Sequence, residues 1–331
     1  MTWIVLVNYN GWDDTRLCLD SLRKQTAPCR IVLVDNDSKV RRLEEFQKEY
    51  PEVVCIQSDW NGGWAGGNNI GIEYAMSQNA EHIILLNNDT TVSPHLVESL
   101  LRAAHDHPEY GIIGPIIHFM DEPEKVMTDG CVFNHPGYNG FFQRKEVPPT
   151  QPSLVTECEV VNGCCMMISR QVVKEIGLID QRFFLIHEET DYNLRARQAG
   201  FKCGILSESL VWHKGSSTFK RTGSKLQRYF DARNLLLLIS KHGRKHPEGR
   251  RSARSLLTYG KYIYYRYCEE TESGQKAAAD AVLEGFIDGL RRRYGPMPAP
   301  KKRPELIFLR GLFNSAMWLR KKFPQSQSST H

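Results

Sequence analysis

His82-Ile83-Ile84-Leu85-Leu86-Asn87-Asn88-Asp89 is an apolar run that ends abruptly in two amides and a carboxylate. Large aliphatic residues without alternation read as a strand buried on both faces, the pattern of a parallel sheet flanked by helices. Working outward, two similar runs end the same way: Trp3 to Val7 gives way to Asn8-Tyr9-Asn10, and Arg30 to Val34 to Asp35-Asn36-Asp37. Between them, Leu17, Leu19 and Leu22 fall at helical spacing within Asp14 to Lys24. Val53 to Ile56 is a further strand, and Ile70 to Ser77 reads as a helix. Buried runs alternating with amphipathic helices predict βαβ units and a mainly parallel central sheet. The polar residues gather at the carboxyl ends of the strands, the edge where open α/β sheets bind ligands.

The rest of the chain bounds the function. It has 331 residues, 41% hydrophobic and 24% charged, enough for a large α/β domain with an appendage. The start reads as a first strand, not a signal peptide. Leu235 to Ile239 is about the longest apolar run, far short of the roughly 18 residues that span a bilayer. Nine scattered cysteines without a C-x-x-C spacing read as reduced thiols of a cytosolic protein. The net charge of +5 is divided: from Lys220 onward 24 Lys and Arg face 9 Asp and Glu, a balance of +15. We therefore expect a catalytic domain over 1–219 and a basic helical region over 220–331. That region carries no nucleic-acid motif, so anionic lipid or a phosphorylated acceptor is its expected partner. Within it, Glu305 to Phe323 forms an amphipathic basic helix. Such a helix suits a membrane interface equally with packing on the protein or on a second subunit, as in a homodimer.

Each candidate site has a plainer reading beside it. Asp89 is a suitable oxygen ligand for a hard cation, although Asn and Asp also favour ordinary strand-end turns. Asn61 to Gly71 is rich in glycine, which lets backbone approach a phosphate or merely makes a loop. Phe183 to Asp191 sets Glu188, Glu189 and Asp191 beside an apolar wall at a helix start. Clustering there can tune a general base, while acidic residues also simply favour a first helical turn. Val211-Trp212-His213 ends in a histidine that suits a metal or a packed core.

In order, these segments resemble glycosyltransferase family 2, especially its rhamnosyltransferase-like branch. The resemblance runs over roughly residues 1 to 240, through Asn162-Gly163-Cys164, Trp212-His213, Ser216-Ser217 and Arg233-Asn234. It implies a GT-A fold with a C-terminal helical extension, and transfer of a sugar from a nucleotide-diphosphate donor to a glycan or lipid-linked acceptor. It also implies Mg2+ or Mn2+ and inversion at the anomeric carbon. The reduced thiols and the basic tail, for their part, lead us to expect a cytoplasmic enzyme peripheral on the inner face of the cell membrane. Rhamnose from dTDP-rhamnose is the expected donor. By position, Asn8, Tyr9, Asp35 and Asn36 would line the nucleoside pocket, with Gly66, Gly67 and Asn68 along the diphosphate and sugar. Asn87-Asn88-Asp89 takes the place of the D-x-D motif, with Asn87 for its first Asp. Asp89 and His213 would then be the metal ligands. Glu188-Glu189 stands where the family has Glu-Asp, which makes Glu189 the expected base and Glu188 its neighbour. Gln227-Arg228-Tyr229 replaces the processive Q-x-x-R-W, so a non-processive enzyme is expected. Two rivals are a sugar-1-phosphate nucleotidyltransferase, which wants a basic Gly-rich loop after the first strand, and a non-catalytic sugar-nucleotide-binding protein.

Overall fold

The computed structural model describes residues 1–133, 142–144, 155–215, 224–242, 251–299 and 303–322. Ser216, Ser217, the expected boundary at 219/220, Lys301 and Lys302 lie outside the described residues. The chain forms two compact units, Met1–Asn134 with Phe141–Ser217, and His135–Gly140 with Thr218–His331.

The first unit is a layered α/β structure. Its strands are β1 (Thr2–Asn8), β2 (Arg30–Asp35), β3 (Val53–Gln57), β4 (His82–Asn87), β5 (Thr90–Val92) and β6 (Tyr110–Phe119). They continue with β7 (Val126–Thr128), β8 (Cys131–Phe133), β9 (Phe142–Arg144), β10 (Val155–Cys158), β11 (Cys165–Ser169) and β12 (Lys202–His213). The helices are α1 (Trp12–Leu22), α2 (Leu43–Glu49), α3 (Gly63–Ser77), α4 (Leu96–Asp106), α5 (Arg170–Ile176) and α6 (Glu188–Gln198). The main sheet runs β10-β12-β6-β11-β4-β1-β2-β3. From β3 to β4 it is parallel, as the aliphatic runs predict. Beyond β4 it becomes mixed, because β11 runs antiparallel to both β4 and β6. The order reverses at β1, whose neighbours are β2 on one side and β4 on the other. Such a reversal opens a crevice at the carboxyl ends of the strands.

Alternating side chains feed two cores. Ile4, Leu6, Leu33, Ile84 and Leu86 meet α1, α2 and α4 on one face. Trp3, Val5, Val32, Val34, Ile83 and Leu85 meet α3 and α6 on the other. The structure corrects one expectation here. The Gly-rich stretch read as a loop is helical from Gly63, because α3 must lie very close to β1. A Cβ added to Gly71 would stand 2.2 Å from Val5 Cγ1, and one on Gly67 2.5 Å from Val7 Cγ1. Close packing therefore outweighs the poor helix propensity of glycine.

The second unit is helical: α7 (Ser224–His242), α8 (Arg251–Glu272), α9 (Lys276–Leu290) and α10 (Pro304–Lys322). Ala232, Leu235, Ile239, Tyr259, Ile263 and Leu283 form its core. Asp288 is fully buried and holds the Tyr229 hydroxyl at 2.8 Å and Arg303 at 3.0 Å. Among the described residues no helix is long and apolar enough to cross a membrane.

The glycines give a paired stability test. Gly71→Ala drives a methyl into β-branched Val5 and should lower stability by about 1–3 kcal/mol. Gly260→Ala adds a methyl on the exposed side of α8, with nothing within 4 Å, and should raise it by about 0.5–1 kcal/mol. Urea denaturation checks both signs. Equal effects would remove close packing as the reason for Gly71.

Candidate functional site

The site is built on the ends of β1, β2 and β4. Asn8 closes β1 and is fully buried. Its amide donates to Asp35 Oδ1 at 3.1 Å and Ser38 Oγ at 3.0 Å. Its carbonyl oxygen accepts from the Gly11 amide at 3.0 Å and the Thr15 hydroxyl at 3.1 Å. Asn88 joins the same knot by donating to Thr15 Oγ1 at 2.8 Å. Asp35, equally buried, takes Ser38 Oγ at 2.5 Å and Gln57 Nε2 at 3.0 Å. Asn36 reaches over to α3. It accepts from the Gly62 amide at 2.9 Å and donates to the Gly63 carbonyl at 3.0 Å. Asn8, Asp35 and Asn36 thus form one wall of the crevice, with partly exposed Tyr9 following Asn8 at its edge.

On α3, Gly66 and Gly67 are buried, and a Cβ on Gly66 would touch the Trp60 ring at 3.1 Å. Asn68 turns back to the Trp64 carbonyl at 2.9 Å. The sequence reading passed over Trp64. Its indole donates to Asn87 Oδ1 at 3.0 Å, and its ring lies 3.0 Å from where a Gly163 Cβ would be. That same Cβ position is 3.2 Å from Glu189 Cβ. Trp64 and Gly163 therefore join the tip of β4 to the start of α6. An aromatic residue in a Gly-rich stretch was the available signal.

Asp89 and His213 meet although 124 residues separate them. Antiparallel pairing of β5 with β12 sets His213 opposite Thr90. His213 Nε2 then lies 2.9 Å from Asp89 Oδ1, and both residues are largely buried. Asn87 Nδ2 faces the same ring nitrogen at 3.4 Å. Its amide oxygen points away to Trp64, so Asn87 orients the cluster without offering an oxygen to it. Among the described residues no third His, Cys, Asp or Glu completes a metal cage.

The acidic segment divides its three carboxylates by environment. Asp191 is fully buried and bound to Arg195 at 2.9 Å, and Arg195 also donates to the carbonyls of Ile176 and Leu178. It is a structural clamp. Glu188 is buried as well, and its Oε2 finds no hydrogen-bond partner among the described residues. Burial first, then the neighbouring Glu189 charge, pushes the Glu188 carboxyl well above its ordinary value near 4.5. Glu189 is only partly buried and accepts from Thr190 Oγ1 at 3.2 Å. Asn193 fixes this turn by donating to the Glu189 carbonyl at 2.8 Å and the Val161 carbonyl at 3.1 Å. The approach to it is strained: Phe184, Ile186 and His187 take φ of 65°, 70° and 72°. Bulky residues adopt that region only when their surroundings enforce it, and such residues cluster at active sites.

Comparison with known proteins agrees with this architecture. The glycosyl transferase family 2 model matches residues 3–177, ending before Glu188, Glu189 and His213. A low-salt glycan biosynthesis hexosyltransferase, Agl10 of Haloferax volcanii, is 28% identical over 71% of this chain and 74% of that protein. A dTDP-rhamnosyl transferase, RfbF of Shigella flexneri, is 25% identical over 72% of this chain and 80% of its own. Among solved structures, GalNAc-T7 with UDP, GalNAc and Mn2+ superposes with a TM-score of 0.59 at 18% identity. That match covers 88% of this chain and 56% of GalNAc-T7, so this chain spans little more than half of its length. The mannosyltransferase PcManGT of Pyrobaculum calidifontis, with GDP-Man and Mn2+, gives 0.54 at 12% identity, covering 88% of this chain and 87% of its own. The fold is GT-A, and the chain, a glycosyltransferase, belongs to glycosyl transferase family 2.

Proposed function

We propose that the chain transfers rhamnose from dTDP-rhamnose to a glycan or lipid-linked glycan acceptor, in one inverting, metal-dependent, non-processive step. The observation that carries the reading is a continuous line of contacts, from the Asp89–His213 pair through Asn87, Trp64 and Gly163 to Glu189. It brings a cation-binding pair and an accessible carboxylate to one crevice. Membership of the family displaces the nucleotidyltransferase reading. The choice of rhamnose is supported by the Shigella relative and by an L-rhamnosyltransferase of Mycobacterium tuberculosis, 24% identical over 67% of this chain.

The residues fit a divalent cation. Asp89 Oδ1 and His213 Nε2, 2.9 Å apart and hydrogen-bonded to each other, are a carboxylate oxygen and an imidazole nitrogen, donor types a divalent cation takes. Among the described residues this pair would hold Mg2+ or Mn2+, leaving room for oxygens of the donor. Bound there, the ion supplies positive charge against the departing nucleoside diphosphate. The protein supplies the rest. Asn8, Tyr9, Asp35 and Asn36 form the nucleoside wall. Gly66, Gly67 and Asn68 bring α3 against the donor, and Asn87 and Asn88 hold the tip of β4. Glu189 takes the proton from the acceptor hydroxyl as its oxygen bonds to the anomeric carbon and the C–O bond to the diphosphate breaks. Burial separates the two glutamates. Burial pushes the Glu188 carboxyl toward its protonated form, and Glu189 is the more exposed of the two, the one an acceptor can reach.

Glu189→Gln should slow transfer about 100-fold or more with donor binding retained. Single-turnover assays decide this, and an active Glu189→Gln beside a dead Glu188→Gln would reverse the assignment.

Glu188 also makes a pH prediction. The folded chain keeps its proton to higher pH than the unfolded chain does. Its contribution to stability is therefore full below the ordinary range near 4.5 and declines as pH rises above it. Glu188→Gln removes that decline, so the variant should gain stability relative to the parent as pH rises from acid to neutral. A difference independent of pH would mean the carboxyl ionises normally in the fold.

Asp89→Ala should abolish the extra thermal stabilisation that Mn2+ gives with a nucleotide sugar, and His213→Ala should weaken it less. Full activity of both variants in excess chelator would exclude a metal at this pair.

A further inference from the structure

The last helix of the second unit has two unlike faces. Leu306, Leu309, Phe313 and Met317 recur at spacings of three and four and pack into the helical core. Phe313 meets the rings of Tyr264 and Tyr267, Asn314 accepts from the Tyr267 hydroxyl at 2.9 Å, and Arg310 binds Asp280 at 2.7 Å. This side of α10 is tied down.

The opposite side is apolar and open. Ile307 and Phe308 are each 70% exposed, Leu312 53%, Trp318 57% and Leu319 50%. Phe308, Leu312, Ser315 and Leu319 make one line along the helix, and Ile307, Gly311, Trp318 and Lys322 the adjacent one. Scattered exposed leucines are ordinary, but five large apolar side chains on one arc of one helix make a contiguous patch. No carboxylate lies on that arc. Glu305, the helix's acidic residue, is bonded to Arg291 at 2.6 Å.

Cations frame the patch at both ends. The Arg291–Glu305 bond holds exposed Arg291, Arg292 and Arg293, together with exposed Leu290, beside the helix start. At the far end Lys322 Nζ lies 4.6 Å from the centroid of the Trp318 ring. A tryptophan with a neighbouring lysine is a common anchor at the level of lipid headgroups.

Charge selects the occupant. Residues from 220 onward carry +15, so a second copy meeting this face symmetrically, with its own α10, would bring the same charge against it. An anionic bilayer is complementary on both counts, apolar beneath the helix and negative at its rim. We propose that the exposed face of α10 docks on an anionic membrane surface, with the helix lying in the interface. Ile307, Phe308, Leu312, Trp318 and Leu319 enter the headgroup boundary, and Arg292 and Lys322 meet lipid phosphates. The proposal stands apart from the identity of the sugar. It would hold the enzyme at the surface that carries a membrane-held acceptor, a point that rests on the acceptor class proposed above.

The test is flotation of the full chain with phosphatidylcholine vesicles, with and without phosphatidylglycerol, at low and high salt. The chain should float with the anionic vesicles, less so at high salt, and its tryptophan emission should shift to the blue. The combined variant Phe308→Ser, Leu312→Ser, Leu319→Ser alters only exposed side chains and should keep its melting temperature. Its partition should fall at least about tenfold. Leu17→Ser, an exposed leucine of the first unit, should leave binding unchanged. Equal flotation of the triple variant and parent, or no flotation at low salt, would overturn the proposal. So would a concentration-dependent dimer that the triple variant abolishes, since a second copy would then cover the face.

Discussion

The Asn8 side chain is the joint on which the catalytic unit turns. Three parallel strands end side by side at the crevice, and β1 and β2 leave polar groups there that water does not reach. Asn8 answers this with one amide, donating toward β2 through Asp35 and Ser38 and accepting from the start of α1. Asn88 completes the link to β4 through Thr15. A buried network of this kind is favourable only when every member is satisfied. That requirement explains why the wall consists of short amides, hydroxyls and one carboxylate.

The same strand ends carry both halves of the proposed site. Asn36 ties the wall to the start of α3, and α3 carries Trp64. Trp64 in turn braces Asn87 beside the Asp89–His213 pair and backs on to Gly163 and Glu189. A rigid sheet edge therefore positions the groups, while burial tells the carboxylates apart. Of three neighbouring carboxylates, one is clamped by Arg195, one is pushed toward its protonated form by burial, and one is partly exposed.

The sheet and its polar edge were legible in the sequence because aliphatic runs ending in Asn and Asp have few other physical readings. Residues 63 to 69 were not, since glycine has low helix propensity and only the approach of Val5 and Val7 makes its lack of a side chain an advantage. The brace formed by Trp64 and Gly163 escaped for a related reason: it joins residues about 100 positions apart, and nothing local marks it. The left-handed turn at Phe184, Ile186 and His187 was equally hidden, because those residue types ordinarily avoid that conformation. The final helix was read as a membrane or a packing element. It does pack, through half of its surface, and leaves the other half open.

Gly63 links the two ends of the catalytic unit in a way that bears on recombination. It has φ of 67°, and a Cβ there would stand 2.2 Å from the Phe184 carbonyl oxygen. The Ala65 amide reaches that same oxygen at 3.4 Å. The turn that delivers the two glutamates is thus moulded against a bare stretch of backbone 121 positions earlier. A chimaera joined between these positions, with its acceptor-side segment taken from another enzyme, would inherit a turn shaped for someone else's residue 63. Such grafts should work in matched pairs, with positions 63 and 184 drawn from the same parent.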